Sequence, residues 1–164
     1  MSLTKTIQLA VGKMQVLKHH PIVCENISHL LNHEIDVMSF SKGDMMYEFE
    51  VKVTRGDFLA DSKKRKWDEM YNSIEQYNPN YFSYVCPVGL INVDELKEGM
   101  GLYYYGEESA ELWEAKKPKR IHKLKHERMK ILEKVSRVNS ERQFLGCCRL
   151  TYNNNLIKER NANR

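Results

Sequence analysis

The chain has 164 residues with 26 Lys+Arg, 22 Asp+Glu, six His and four Cys, giving a net charge of +4 at pH 7. That length suits one ordinary domain with a real core, and no apolar run approaches the roughly 18 residues of a membrane span. The N-terminus lacks the positive-then-apolar layout of a signal peptide, and Cys24, Cys86, Cys147 and Cys148 show neither paired metal spacing nor an oxidised framework, so a reducing, cytoplasmic setting is expected.

Leu3, Ile7, Ala10, Val11, Met14 and Leu17 recur three and four residues apart and predict a helix over residues 3–18, ended by Pro21. His19 and His20 follow as imidazoles at a helix end, and His29 and His33, four apart, lack a third ligand and read as structural or exposed.

Ile35 to Phe40 is rich in Ile, Val and Phe, and Tyr47 to Val53 alternates apolar Tyr47, Phe49, Val51 and Val53 with Glu48, Glu50 and Lys52. Both read as strands, the second as a half-buried one, joined by a Ser41-Lys42-Gly43-Asp44 hairpin loop in which glycine is available for positive φ. With Lys42 to Asp44 as the loop proper, Ser41 faces Met45 and Asp36 falls opposite Glu50, their Cβ atoms about 5 Å apart. Two carboxylates so placed repel one another unless a cation lies between them. Oxygen-only ligands point to Mg2+ or Mn2+ rather than zinc. Lys52 falls on the same side, where an ammonium contacts a phosphate oxygen or orients and deprotonates an attacking water. Two acids, a lysine and a hard metal suit hydrolysis of a phosphodiester.

Thr54-Arg55-Gly56-Asp57 has the form of a capping box, with Thr54 accepting from free amides and Asp57 near the positive end of the helix dipole. A helix starting there also aims its amides toward the site. Phe58, Leu59, Trp67, Met70, Tyr71, Ile74 and Tyr77 mark the buried face of the helical stretch that follows, and Lys63, Lys64, Arg65 and Lys66 a basic ridge. Tyr81 to Cys86, stopped by Pro87, reads as an interior strand, Val93 to Glu98 as a short helix, and Leu102 to Tyr105 and Glu111 to Ala115 as further strands. Beyond Pro118, Leu124, Ile131, Leu132, Val135 and Val138 keep a helical period, giving a basic C-terminal helix over about 120–142. One domain over 1–150 and a polar tail over 151–164 are expected.

Residues 1–115 hold 11 Lys+Arg against 18 Asp+Glu, whereas residues 116–164, opening with Lys116, Lys117, Lys119 and Arg120, hold 15 against 4. A strongly basic tail on an acidic body is a candidate nucleic-acid grip, since Lys and Arg displace counterions from phosphates without sequence preference. Nothing resembles a P-loop or a nucleophilic triad, and no small-molecule organic cofactor is expected.

Asp36 followed by Glu50-Val51-Lys52 resembles the D...(D/E)xK motif of the PD-(D/E)xK, restriction-endonuclease-like nuclease superfamily. Within it, EVKVTRGDFLAD with Lys66-Trp67 and Tyr71 resembles the signature of the MmcB-like DNA repair proteins, with Thr54, Asp57, Phe58 and Asp61 in place. Gly99-Met100-Gly101-Leu102 is similar to the late glycine-rich strand of these folds and Glu114-Ala115-Lys116 to their last core strand, so the resemblance spans about residues 20–118. The basic stretch Ser62 to Arg65 and the length from Tyr71 to Asn80 depart from the pattern.

The resemblance implies an α/β fold with a restriction-endonuclease-like core, a mixed central sheet flanked by helices whose first strand pair is antiparallel, and the basic C-terminal helix. It implies a metal-dependent deoxyribonuclease of endonuclease type, acting in DNA repair, recombination or phage and plasmid DNA processing. Asp36 and Glu50 would hold Mg2+ or Mn2+ with the Val51 backbone carbonyl. Glu25, where related nucleases carry an upstream acid, is a candidate support through water, an ordinary surface acid being the alternative. Thr54, Asp57, Lys63 to Lys66, Lys116, Lys117, Lys119 and Arg120 are the supporting or DNA-binding set. DNA is the expected partner, with a homodimer left open. Asp36→Asn or Lys52→Ala is expected to abolish cleavage while leaving folding and DNA affinity nearly intact. The competing readings are a non-catalytic DNA-binding adaptor with the same fold and a nuclease for structured RNA.

Overall fold

The computed structural model describes residues 1–27, 33–61, 78–123 and 125–145. The ridge Lys63, Lys64, Arg65 and Lys66, together with His29, Trp67, Tyr71, Cys147, Cys148 and the tail 151–164, lies outside the described residues. The chain divides into two compact units, the first ending at His126 and the second beginning at Glu127.

The apolar stripe of the N-terminus forms helix α1, Leu3–Leu17, capped by Ser2, whose Oγ accepts from the Lys5 amide at 3.3 Å. Ile7 and Val11, one turn apart on that stripe, are fully buried, each burial stabilising by about 1.5–3 kcal/mol. The helix ends before Pro21 is reached: Lys18 caps it, and His19 enters the left-handed region at φ 60°.

Six strands form one mixed sheet in sequence order: β1 (Ile22–Ile27), β2 (Ile35–Phe40), β3 (Met46–Val51), β4 (Tyr81–Pro87), β5 (Gly101–Gly106) and β6 (Glu111–Lys116). The β1–β2 and β2–β3 pairs are antiparallel, β3–β4 and β4–β5 parallel, and β5–β6 again antiparallel. The protein is therefore α/β with a mixed sheet flanked by helices. β1 has no counterpart in the sequence reading; its IVCENI run lacks clean alternation, and Asn26 at φ 47° breaks the pairing between Glu25 and Ile27.

The β2–β3 hairpin has the expected register, with Val37 across from Phe49 and Phe40 across from Met46. Its loop departs in one detail. The left-handed residue is Asp44, at φ 63°, rather than Gly43. The Asp44 amide donates to the Ser41 carbonyl at 3.2 Å and the Ser41 amide to the Met45 carbonyl at 2.9 Å, a turn followed by one left-handed residue, which aspartate tolerates.

β3 is not half-buried. On one face of the sheet, Phe49 and Val51 pack with Ile7 and Val11 of α1 and with Val85, Tyr103 and Tyr105. The face that carries Glu48 and Glu50 is also covered, because the parallel β3–β4 connection brings in helix α2 (Arg55–Asp61). There Phe58 joins Phe82, Tyr84, Cys86 and Leu102 in a second core. The acids of β3 consequently lie inside the protein.

Two glycines of the Gly99-Met100-Gly101 stretch have steric reasons. Gly99 stands at φ 84°, and a Cβ on Gly101 would meet Ser83 Oγ at 2.5 Å and Pro118 Cδ at 2.8 Å. A 3-10 turn, Val93–Glu95, replaces the longer helix expected over 93–98.

The basic C-terminal helix starts later than about residue 120. Residues 119–123, 125 and 126 instead run irregularly, because backbone groups there are engaged by other segments: the Lys119 amide by the Gly99 carbonyl, the Ile121 amide by the Asn80 carbonyl and the His126 amide by the Asp44 carbonyl. Helix α3, Arg128–Leu145, belongs to the second unit and carries five basic residues against Glu133 and Glu141. No helix among the described residues is long and apolar enough to cross a membrane.

Candidate functional site

Asp36 and Glu50 each lie one residue beyond the Val37–Phe49 pair of the hairpin, and Lys52 follows at the end of β3. Glu48, Glu50, Lys52 and Asp61 are respectively 0%, 6%, 7% and 0% exposed, so their charges are resolved by one another rather than by bulk water. Lys52 Nζ donates to Glu50 Oε1 at 2.7 Å and lies 3.5 Å from Asp61 Oδ1. Tyr84 Oη in turn donates to Asp61 Oδ2 at 2.8 Å. Glu48 Oε1 meets His33 Nε2 at 2.8 Å, a separate pair farther down the strand.

Asp36 is held from two sides. Its Oδ2 accepts from the Val51 amide at 2.8 Å and its Oδ1 from the Gln8 side chain at 3.3 Å, while Gln8 also donates to Asn26 Oδ1 at 2.8 Å. Burial and then the nearby charge of Glu50 raise the Asp36 carboxyl to about 6, against the lowering pull of the Val51 amide, Lys52 and Gln8. For Lys52, burial alone would lower the ammonium; Glu50 above all, with Asp61 and Asp36, holds it above the ordinary lysine value. Lys52 is therefore a cation at neutral pH. As an ammonium it suits the stabilisation of negative charge. Burial, followed by Asp61, likewise pushes the Tyr84 phenol far up, so Tyr84 is a fixed donor.

The donor set fits a hard divalent cation. The repulsion between Asp36 and Glu50 that lifts Asp36 is what such an ion relieves, and both offer oxygen. Among the described residues no group of three or more His, Cys, Asp or Glu is arranged as a metal cage. Magnesium commonly uses one or two carboxylates and completes its shell with water and substrate oxygens.

The structure distributes the remaining candidates. Glu25 lies on β1 across from Val37, and Lys5 of α1 donates to its Oε1; the side chain from α1 that reaches Asp36 is Gln8. Thr54 and Asp57 cap α2 at the surface: the Asp57 amide donates to Thr54 Oγ1 at 3.1 Å and the Thr54 hydroxyl to Asp57 Oδ2 at 2.7 Å. Lys116 shares a lateral row with Glu50 through Tyr84 and Leu102, three strands away, or roughly 14 Å at ordinary strand spacing. Lys117, Lys119 and Arg120 are exposed; Lys119 pairs with Glu98 at 3.1 Å, and Arg120 Nε donates to the His122 carbonyl at 3.0 Å. Lys116 is thus separate from the carboxylates. Gln8 and Tyr84 carry no sequence signal for the site: Gln8 falls outside the apolar stripe of the first helix, and Tyr84 reads only as part of an interior strand. Asp61 carried one, as part of the DFLAD run, without its pairing to Lys52.

Fold and site together define an α/β protein whose six-stranded mixed sheet carries a buried carboxylate–lysine cluster at the end of its third strand. No protein-family model and no curated protein matches the chain. Among solved structures, it is similar to SPO1766, a protein of unknown function from Silicibacter pomeroyi, with a TM-score of 0.65 and 16% identity over 87% of this chain and 90% of that one. At that identity the likeness shows a common fold and nothing of activity.

Proposed function

We propose that this chain is a metal-dependent nuclease of restriction-endonuclease-like fold that hydrolyses DNA phosphodiester bonds. The observation that carries the reading is the placement of Asp36 and Glu50 on adjacent strands with the Lys52 ammonium 2.7 Å from Glu50. Asp36 and Glu50 would hold Mg2+ or Mn2+, which when bound supplies charge neutralisation at the phosphoryl oxygens and a water of lowered pKa. Lys52, fixed by two carboxylates, would stabilise negative charge as the phosphorus becomes five-coordinate. Gln8 and the Val51 amide orient Asp36, and Tyr84 orients Asp61, so the first carboxylate and the lysine are both held by a further layer of hydrogen bonds. The basic residues 116–120 would add phosphate contacts at a distance from the reacting bond.

One observation favours a second reading, a DNA-binding adaptor without catalysis: Glu50 already accepts from a buried lysine, as in a structural ion pair. The two are separated by incubating the protein with supercoiled plasmid, single-stranded circles and a branched junction, in magnesium or manganese against EDTA, with Asp36→Asn alongside. Metal-dependent cleavage absent from Asp36→Asn supports the nuclease. Salt-sensitive binding with no cleavage in either metal selects the adaptor, and replacing DNA by structured RNA tests the ribonuclease alternative.

A further inference from the structure

On the face of the sheet opposite Glu48 and Glu50, under the C-terminal end of α1, lies a pocket of about 360 Å³. That is within the usual range, roughly 300–1,000 Å³, for a small-molecule site. Its composition is unusual for a gap beneath a helix. Tyr47 and Tyr81, directly paired across β3 and β4, stack with ring centroids 4.6 Å apart and planes inclined by 14°. Both are only partly buried, and both line the pocket. Farther along the sheet, Tyr103 donates its hydroxyl to Glu114 at 2.7 Å, and Lys18 Nζ stands 5.5 Å from the centre of the Tyr103 ring. Lys18 and Lys117 reach the pocket from the helix end and from the segment after β6, and both are exposed.

The polar groups of the wall are pre-set. Ser39 donates its hydroxyl to Gln15 Oε1 at 3.2 Å, and His20 Nδ1 lies 2.9 Å from the same hydroxyl oxygen. Burial, with Lys18, lowers the imidazole pKa and keeps it neutral, and its ring stacks obliquely on Tyr47 at 5.0 Å. The wall thus combines tyrosine rings, an imidazole and two ammonium groups.

These features match a planar heterocycle that also bears an anionic group. We propose that this pocket binds a nucleotide, with its base against the Tyr47–Tyr81 pair and its phosphate drawn to Lys18 and Lys117. Stacking on tyrosine tolerates any base, and the lysines supply the charge that a free nucleoside would not use. The same chemistry is offered by a free nucleoside monophosphate and by one residue of a single strand. The proposal stands on this pocket alone and not on the nuclease reading, since the carboxylate cluster lies on the other face.

Calorimetric titration of the full chain in EDTA, with deoxynucleoside 5′-monophosphates and separately with a short oligothymidylate, tests it. Saturable binding is expected, weakened roughly tenfold or more by Tyr81→Ala and by Lys117→Ala, and retained by Tyr81→Phe. Binding of the oligonucleotide alone assigns the site to a strand; binding of the monophosphates assigns it to a free nucleotide. Circular dichroism checks the fold of each variant, and should Tyr81→Ala unfold, the exposed Lys117→Ala decides. Absence of saturation by every probe, or full affinity in a folded Tyr81→Ala or in Lys117→Ala, overturns the proposal. Because EDTA removes any cation from the carboxylates, that failure leaves the plasmid-cleavage result standing on its own.

Discussion

Lys52 Nζ lies 3.5 Å from Asp61 Oδ1, so the ammonium at the end of β3 meets the last residue of α2 inside the core. Glu50 holds the same nitrogen at 2.7 Å. Removing one partner of a buried ion pair is costly because the opposite charge stays buried. Lys52→Ala is therefore expected to lose about 3–5 kcal/mol of stability, read as a lower urea midpoint. This corrects the expectation, drawn from sequence, that the substitution would leave folding intact. Part of the loss should return in Lys52→Ala combined with Asp61→Asn; equal midpoints for wild type and Lys52→Ala would show that the ammonium is not structurally engaged.

Asp36 contributes stability in the opposite sense. Its carboxyl titrates at about 6 in the folded chain against 3.8 for the unperturbed group, so between those values the native state binds more protons than the unfolded one. Stability from this group is then fully present below the unfolded value and falls as pH rises through about 6, by up to about 3 kcal/mol before solvent screening. Asparagine keeps an acceptor for the Val51 amide and cannot ionise. Asp36→Asn should thus gain stability relative to wild type as pH rises from 4 to 7 in EDTA, while losing metal-dependent cleavage. A stability difference that does not change with pH would refute the assignment.

Added magnesium should reverse that trend if the two carboxylates hold it. Binding requires the deprotonated Asp36, so apparent affinity should rise about tenfold per pH unit below 6 and level off above it. Titration calorimetry at several pH values measures this directly. A pH-independent affinity, or one unchanged in Asp36→Asn, would place the ion elsewhere.

The hairpin was legible because its loop residues and the two-residue period determine register together, and a slip of one residue would have reversed every side chain on β3. The environment of β3 was not. Alternation reports that two faces differ, without telling that a parallel crossover brings α2 over the acidic face. For the same reason Asp61 and Tyr84 could not be joined to Lys52 from sequence: Asp61 meets Lys52 across 9 positions and Tyr84 meets Asp61 across 23, through the packing of α2 and the β3–β4 register. The late start of α3 was hidden by periodicity that continues upstream, where the backbone is instead claimed by Gly99, Asn80 and Asp44.

Gly101 tests the close approach behind the late glycine-rich strand. A Cβ there would lie 2.8 Å from Pro118 Cδ and 3.0 Å from Pro118 Cβ, and a proline ring gives way little. Gly101→Ala should cost about 1–3 kcal/mol by overpacking. Because Pro118 also borders the nucleotide pocket, a shift of this segment should weaken nucleotide binding in the same variant. Unchanged stability would mean that the Pro118 segment moves freely.

Asn80 reads in sequence as a turn residue between Pro79 and a strand, yet it is fully buried and ties three segments together. Its side-chain oxygen accepts from the Met46 amide at 2.7 Å, and its side-chain nitrogen donates to the His122 carbonyl at 2.8 Å. Its own amide donates to the Met46 carbonyl at 2.9 Å, and its carbonyl accepts from Ile121 at 2.8 Å. Alanine would keep the two backbone bonds but leave the Met46 amide without its side-chain acceptor, while the His122 carbonyl would keep Arg120 Nε. A buried group so deprived costs about 1–3 kcal/mol, the loss expected for Asn80→Ala. Aspartate would still accept from Met46 but would set a carboxylate against the His122 carbonyl, so Asn80→Asp should be at least as damaging at neutral pH and partly recover in acid. Urea melts of the two variants at pH 7 and pH 5 measure this ordering. Near-wild-type midpoints for both would mean that the start of β3, and with it the register that sets Asp36 against Glu50, is held without Asn80.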